Sequence, residues 1–215
     1  MGTAECLQDA APKPHLIFLV NGCTYLRQGL EFLMAEAGCQ SLILPVTEPE
    51  EILAWPVSRY GRRLVLVSLP PEPVQAARGR FFLWRLEVLR MQGVRTGPLL
   101  CLLDGDRGRW NTQLAGYRWL PSGEGVSAVQ KILPGLLNSP KMMAPLPVIR
   151  NCRLSRRQQY ILRETLAGGT VKAMAEELEI SELAVFSART ALMTKMGLNN
   201  RLELMSLAGG GNGYY

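Results

Sequence analysis

The chain has 215 residues, 47% of them hydrophobic and 20% charged, enough for one large domain or two small ones and too apolar for a disordered protein. No apolar run approaches the roughly 18 residues that span a bilayer, and the start, MGTAECLQDAAPKPH, lacks the basic-then-apolar order of an export signal, so a cytoplasmic protein with no membrane partner is expected. The cysteines (Cys6, Cys23, Cys39, Cys101, Cys152) are scattered and never form a CxxC pair, and His15 is the single histidine, which argues against a metal site and for reduced, mostly buried thiols; the net charge of +6 favours an anionic partner such as nucleic acid.

In chain order, short runs rich in Val, Ile and Leu alternate with stretches of helical periodicity, the pattern of βα units around a parallel sheet. The predicted strands are LIFLV (Leu16 to Val20), SLILPV (Ser41 to Val46), RLVLVSL (Arg63 to Leu69), PLLCLL (Pro98 to Leu103) and GYRWL (Gly116 to Leu120). Between and after them helices are expected over Tyr25 to Ala37, Glu48 to Trp55, Val74 to Gln92, Arg107 to Ala115 and Val126 to Leu137. The third of these carries Phe81, Phe82 and Trp84 with Arg78, Arg80, Arg85, Arg90 and Arg95 in and just after it. A basic, aromatic surface for a partner is one reading; the favoured one is an amphipathic helix with Phe82, Leu86 and Leu89 in the core and its arginines in solvent. Asp104-Gly-Asp106 reads as a turn rather than a metal fragment, since no further ligands accompany it.

The stretch 139–150, with three prolines within NSPKMMAPLPVIRN, is a linker, and GGGNGYY is a frayed end. Residues 1–138 and 151–215 are therefore two domains. In the second, Ser155 caps a helix through Gln158, Ile161, Leu162 and Leu166 that stops at Gly168-Gly169. Thr170 caps a second, from Val171 to Leu178; Glu179, Ile180 and Ser181 form a tight turn, and Ser181 caps a third, from Glu182 to about Met196. Small Ala175 allows two helices to cross closely over Leu178, Ile180, Val185 and Leu192.

The segment LSRRQQYILRETLAGGTVKAMAEELEISELAVFSARTALMTKMGLNNR resembles, without gaps, the LuxR/FixJ/NarL-type helix-turn-helix domain of bacterial transcriptional regulators. Leu154, Ser155, Arg157, Leu162, Gly168, Thr170, Lys172, Ala175, Leu178, Ile180, Ser181, Val185, Lys195, Gly197 and Arg201 agree with the family pattern. The resemblance implies an all-α four-helix domain whose third helix enters the major groove and whose fourth, Asn200 to Leu207, pairs two subunits. The family's third helix usually begins Thr-Val-Lys-x-His; here Phe186 replaces the lysine and Ala188 the histidine, which removes two polar groups from the groove-facing surface. Base reading is left to Phe186, Ser187, Arg189 and Thr190, and backbone contact to Thr170, Lys172, Lys195 and Arg201.

Ahead of such a domain, the βα units with Leu-Pro-Pro after Ser68 and with Gly116-Tyr117 resemble a response-regulator receiver, a flavodoxin-like (βα)5 fold. A receiver's phosphoryl chemistry needs an acceptor aspartate and acids that hold Mg²⁺. Here Asn21 and Gly22 follow the first strand, Ser68 stands at the degenerate phosphoacceptor position, Leu120 replaces the family's lysine, and Leu103 or Asp104 falls near its Thr/Ser. The layout and the segment NGCTYLRQGLEFLM are similar to atypical Rcs-type auxiliary regulators. The expectation is a non-enzymatic, phosphorylation-independent DNA-binding regulator without cofactor or metal, acting as a homodimer or as a heterodimer with another LuxR-type regulator. The alternative is a co-regulator or antagonist that pairs with such a protein and reads DNA weakly or not at all.

Overall fold

The computed structural model describes residues 13–114, 116–138 and 152–207; the expected linker, the glycine-rich tail and Cys6 lie outside them. Five parallel strands, β1 (His15–Val20), β2 (Ser41–Val46), β3 (Arg63–Leu69), β4 (Leu100–Gly105) and β5 (Arg118–Trp119), form one sheet in the order β2-β1-β3-β4-β5. That order, with crossover helices between strands, is the flavodoxin-like arrangement expected of a receiver. Helices α1 (Thr24–Glu36), α2 (Pro73–Met91), α3 (Arg107–Leu114) and α4 (Val126–Asn138) cover the sheet. Because side chains alternate along a strand, Leu16, Phe18, Val65, Val67, Cys101 and Leu103 pack beneath α2 and α3, whereas Ile17, Leu19, Leu64, Leu66, Leu100 and Leu102 pack beneath α1 and α4. No helix of the described residues is long and apolar enough to cross a membrane.

Three elements of this domain differ from the sequence expectation, the first being β4, which lies two residues later than the predicted Pro98 to Leu103. The predicted helix at Glu48 to Trp55 is a 3₁₀ segment, Pro49–Ala54, because Pro49 and Pro56 bracket too few residues for a stable α-helix. The last strand shrinks to two residues: Tyr117 N–H turns back to Leu114 C=O at 3.0 Å, so ladder pairing with β4 begins only at Leu102↔Arg118.

The second domain is all helical: α5 (Arg156–Leu166), α6 (Val171–Glu177), α7 (Glu182–Lys195) and α8 (Arg201–Met205). Ser155 and Gln158 form a reciprocal capping box on α5, and the hydroxyls of Thr170 and Ser181 accept the backbone N–H of Ala173 and Ala184 at 3.1 and 3.2 Å. Ile161, Leu162, Met174, Val185, Leu192, Met196 and Leu204 fill its core.

The helix α2 joins the two domains, and here the amphipathic reading fails. Ala76, Phe82, Leu83 and Leu86 face the sheet, while Ala77, Phe81, Trp84 and Val88, roughly opposite on a 3.6-residue repeat, enter the core of the helical domain. Trp84 Nε1–H donates to Cys152 C=O at 2.8 Å, and Phe81 stacks on Trp84 with ring centres 5.4 Å apart. The arginines do not simply point to water. Arg80 is 2% exposed and ion-paired to Glu203 of α8 at 2.8 Å; Arg85 pairs with Glu48 and with Glu50; Leu89 is only half-buried. Arg78 and Arg95 are exposed, as expected. Nor are the thiols mostly buried: Cys101 and Cys152 are, Cys39 is half-buried and Cys23 is exposed.

Candidate nucleic-acid interface

Helices α6 and α7 meet through Leu178 to Ser181. Glu179 takes a left-handed φ of +52°, which lets Ile180 N–H close back on Ala175 C=O at 3.0 Å and reverses the chain within one turn. Ala175, buried, sits where α7 crosses, and Val185 and Leu192 point inward from α7. The opposite face of α7 is outward. It presents Glu182, Leu183, Phe186, Ser187, Thr190, Ala191 and Thr194.

This face has no cation. Phe186 is 45% exposed and Leu183 74% exposed, while Ser187 and Thr190 are exposed hydroxyl residues. Arg189, expected among the base readers, is 8% exposed and lies with its guanidinium 4.9 Å from the Phe186 ring centre. Burial, with Arg201 as a like charge, holds its pKa below the usual arginine value. Half-buried Ala188 packs against the domain core. The sequence reading passed over Leu183, although the spacing 183, 186/187, 190, 194 marks one stripe of a helix and would have found it.

The expected backbone contacts divide. Lys172 and Arg201 are exposed, and Thr170 is an exposed N-cap beside Lys172. Lys195 is instead half-buried, its ammonium donating to Gln158 Oε1 at 3.0 Å and to Arg153 C=O at 3.1 Å, so it clamps α7 to α5. Around Lys172 a shallow groove between α6 and α7 is edged by Glu176, Glu179 and Glu182. Across residues 152–207 eight Lys/Arg face six Glu. Such a balance gives a weak field for phosphates.

At the carboxyl ends of the strands, Ser68 is half-buried and pairs in register with Asp104. Asn21, at φ +57°, donates from Nδ2 to Gln75 C=O at 2.8 Å and to Ser68 C=O at 3.4 Å, lying across the ends of β1 and β3. Gly79 permits this, since a Cβ there would come within 3.0 Å of Asn21 Nδ2 and 2.8 Å of Leu69 Cδ2. Asp106 accepts the N–H of Gly108 at 2.9 Å and so starts α3 as a turn residue. Among the described residues no three His, Cys, Asp or Glu side chains cluster as metal ligands.

The class of protein follows from these parts: a receiver-like α/β domain followed by a helix-turn-helix domain with its turn, caps and core in place. Residues 153–208 match the luxR family of bacterial regulatory proteins. No match was found among the curated proteins. Among solved structures the chain is similar to RcsB from Salmonella enterica serovar Typhimurium bound to promoter rprA, with 12% identity, 91% of this chain and 98% of that chain covered, and a TM-score of 0.43. It is also similar to full-length FixJ from B. japonicum, with 20% identity, 94% and 100% covered, and a TM-score of 0.33.

Proposed function

We propose that the chain is a phosphorylation-independent transcriptional regulator that acts on DNA through its luxR-type domain, as a homodimer or as a heterodimer with another LuxR-type regulator. The observation that carries this reading is the luxR-family match over 153–208, in which each cap and turn of the helix-turn-helix is made by the expected side chain. Phosphorylation independence rests on Ser68, a hydroxyl where a receiver needs a carboxylate, and on Asn21 lying across the strand ends. On this reading 1–138 is a pseudo-receiver, 139–150 a linker and 151–215 the DNA-binding domain, working in the cytoplasm at the nucleoid. Pairing through α8 would use exposed Arg201 and Leu202, since Glu203, Leu204 and Leu207 are buried within the chain.

A second reading, a co-regulator that depends on a partner for DNA contact, is favoured by the cation-free outer face of α7. The test is footprinting on the protein's own promoter region, alone and with candidate LuxR-type partners, over a salt series. A sequence-specific footprint from the protein alone supports the first reading and rejects the second. Protection that appears only with a partner supports the second. Stoichiometric labelling by acetyl phosphate, lost in Ser68→Ala, would overturn phosphorylation independence.

A further inference from the structure

Holding DNA phosphates takes cations that the protein does not itself neutralise. Of the eight Lys/Arg in residues 152–207, Arg163 is paired with Glu164 at 3.1 Å and Arg189 is buried. Lys195 is held by Gln158 and by Arg153 C=O, and Lys172 stands in the groove edged by Glu176, Glu179 and Glu182. That leaves Arg201, and then Arg153, Arg156 and Arg157, which crowd around Ser155, the N-cap of α5. These last three are exposed, and among the described residues no carboxylate forms a salt bridge with them.

Their position works against the helix. The positive end of a helix favours Asp and Glu in its first turn, yet α5 has no acid there and carries Arg156 and Arg157 instead. Ser155 Oγ takes the N–H of Gln158 at 3.2 Å, while the N–H groups of Arg156 and Arg157 have no intrahelical acceptor. Cations set where folding favours acids, at a helix end that itself attracts anions, are complementary to a polyanion. Nor does the patch end with the helical domain. The Arg153 guanidinium donates to Met91 C=O in the last turn of α2, which fixes the start of α5 against the end of α2 without cancelling the charge. Past Met91 the chain turns through Gly93, at φ +82°, Val94 N–H closes on Leu89 C=O at 3.1 Å, and exposed Arg95 follows. Lys195, at the end of α7, meets Arg153 as well, so the patch lies about 20 Å along α7 from Glu182 at about 1.5 Å per residue.

We propose that Arg95 of the receiver-like domain, with Arg153, Arg156 and Arg157 of the helical domain, forms a second contact with the DNA backbone, built by both domains. It rests on the reading that the chain acts on DNA, and it lies apart from α7 and from the backbone contacts expected at Thr170, Lys172, Lys195 and Arg201. Its grip is independent of sequence, because phosphates carry no base identity. A chain whose α7 is free of cations thereby keeps a hold on the duplex.

The test is fluorescence anisotropy of the full chain on two labelled duplexes, one from its own promoter region and one of shuffled sequence, over a salt series. Each phosphate contact contributes about 0.9 to the fall of log K with log salt, so Arg95→Gln should flatten that slope by about 0.9 and Arg156→Gln/Arg157→Gln by about 1.8, alike on both duplexes. The control Arg78→Gln/Arg107→Gln, which removes two exposed arginines from the first half of α2 and from α3, should leave it unchanged. An unchanged slope in Arg95→Gln would overturn the proposal, and so would an equal flattening in the control, which is the effect of net charge alone. Wild-type binding that both patch variants reproduce defeats this proposal and leaves the DNA-binding reading standing. No wild-type binding to either duplex at low salt defeats both.

Discussion

His15 Nδ1 accepts the backbone N–H of Arg62 at 2.9 Å, a bond that requires that nitrogen to be unprotonated. Burial is the largest influence on this ring and lowers its pKa; a bond to Asn138 opposes it and the charge of Arg62 adds to it. The folded protein thus takes up this proton less readily than the unfolded chain does. The stability contributed by neutral His15 is complete above the unfolded pKa and is lost as pH falls through the mildly acid range towards the folded value. We expect Tm to drop from roughly pH 7 to 5, with a component no steeper than about 1.4 kcal/mol per pH unit that disappears in His15→Gln. Parallel melting profiles of the two proteins would refute this. The thiols offer a second residue-scale test. Burial pushes the Cys101 thiol up to about 12 and raises that of Cys152, whereas Cys23 is exposed at the start of α1. Since the thiolate is the reactive form, an aromatic disulfide reagent at about pH 8 should label Cys23 quickly and Cys101 only on unfolding. Peptide mass spectrometry reads the order, and early labelling of Cys101 would contradict it.

Single helices and strands show where sequence logic holds and where it stops. Local signals survived intact: Ser155, Thr170 and Ser181 cap the helices they were expected to cap, because hydrogen bonds to neighbours in sequence decide a cap, and β2 and β3 have the predicted ends, because each apolar run is as long as its ladder, with β1 for β2 and with β1 and β4 together for β3. The roles of Arg80, Arg189 and Lys195 were not legible. Each is a long cation whose partner is distant in sequence or lies on the next turn, and a charge reads as solvent-facing until the fold covers it. For α2 the pattern did contain the answer: apolar residues on two opposite sides mean burial on two sides. The surface of α7 leads to a prediction at this scale. Phe186→Lys restores the cation usual in the family at an exposed position, so one more phosphate contact should steepen the fall of log K with log salt by about 0.9 and raise low-salt DNA affinity. Loss of the Phe186–Arg189 contact costs about 0.5–1 kcal/mol of stability. An unchanged salt slope in binding assays would mean that α7 does not approach the DNA backbone.

At the scale of the whole molecule, α2 lends Ala77, Phe81 and Trp84 to the helical domain's core, and the Arg80–Glu203 pair joins α2 to α8 with both side chains no more than 2% exposed. Burial pulls the Arg80 pKa down, and Glu203 pulls it back. Gly197, at a left-handed φ of +72° that a residue with a side chain rarely adopts, presents its carbonyl to Arg80. Removing one partner strands a buried charge, at about 3–5 kcal/mol, whereas replacing both with apolar groups leaves nothing uncompensated. Arg80→Met and Glu203→Gln should therefore each lower stability by that order and split a single calorimetric transition into two, as α2 lets go of α8. Glu203 also accepts Asn199 N–H and Asn199 Nδ2–H within its own domain, so Glu203→Gln, which loses these bonds as well as the ion pair, should shift the helical domain's transition further than Arg80→Met does. The double variant Arg80→Met/Glu203→Leu should lose less than the two single losses added together. Strict additivity in that cycle would mean the pair does not couple the domains, and the docking of α2 on α8 would then rest on Phe81 and Trp84 alone.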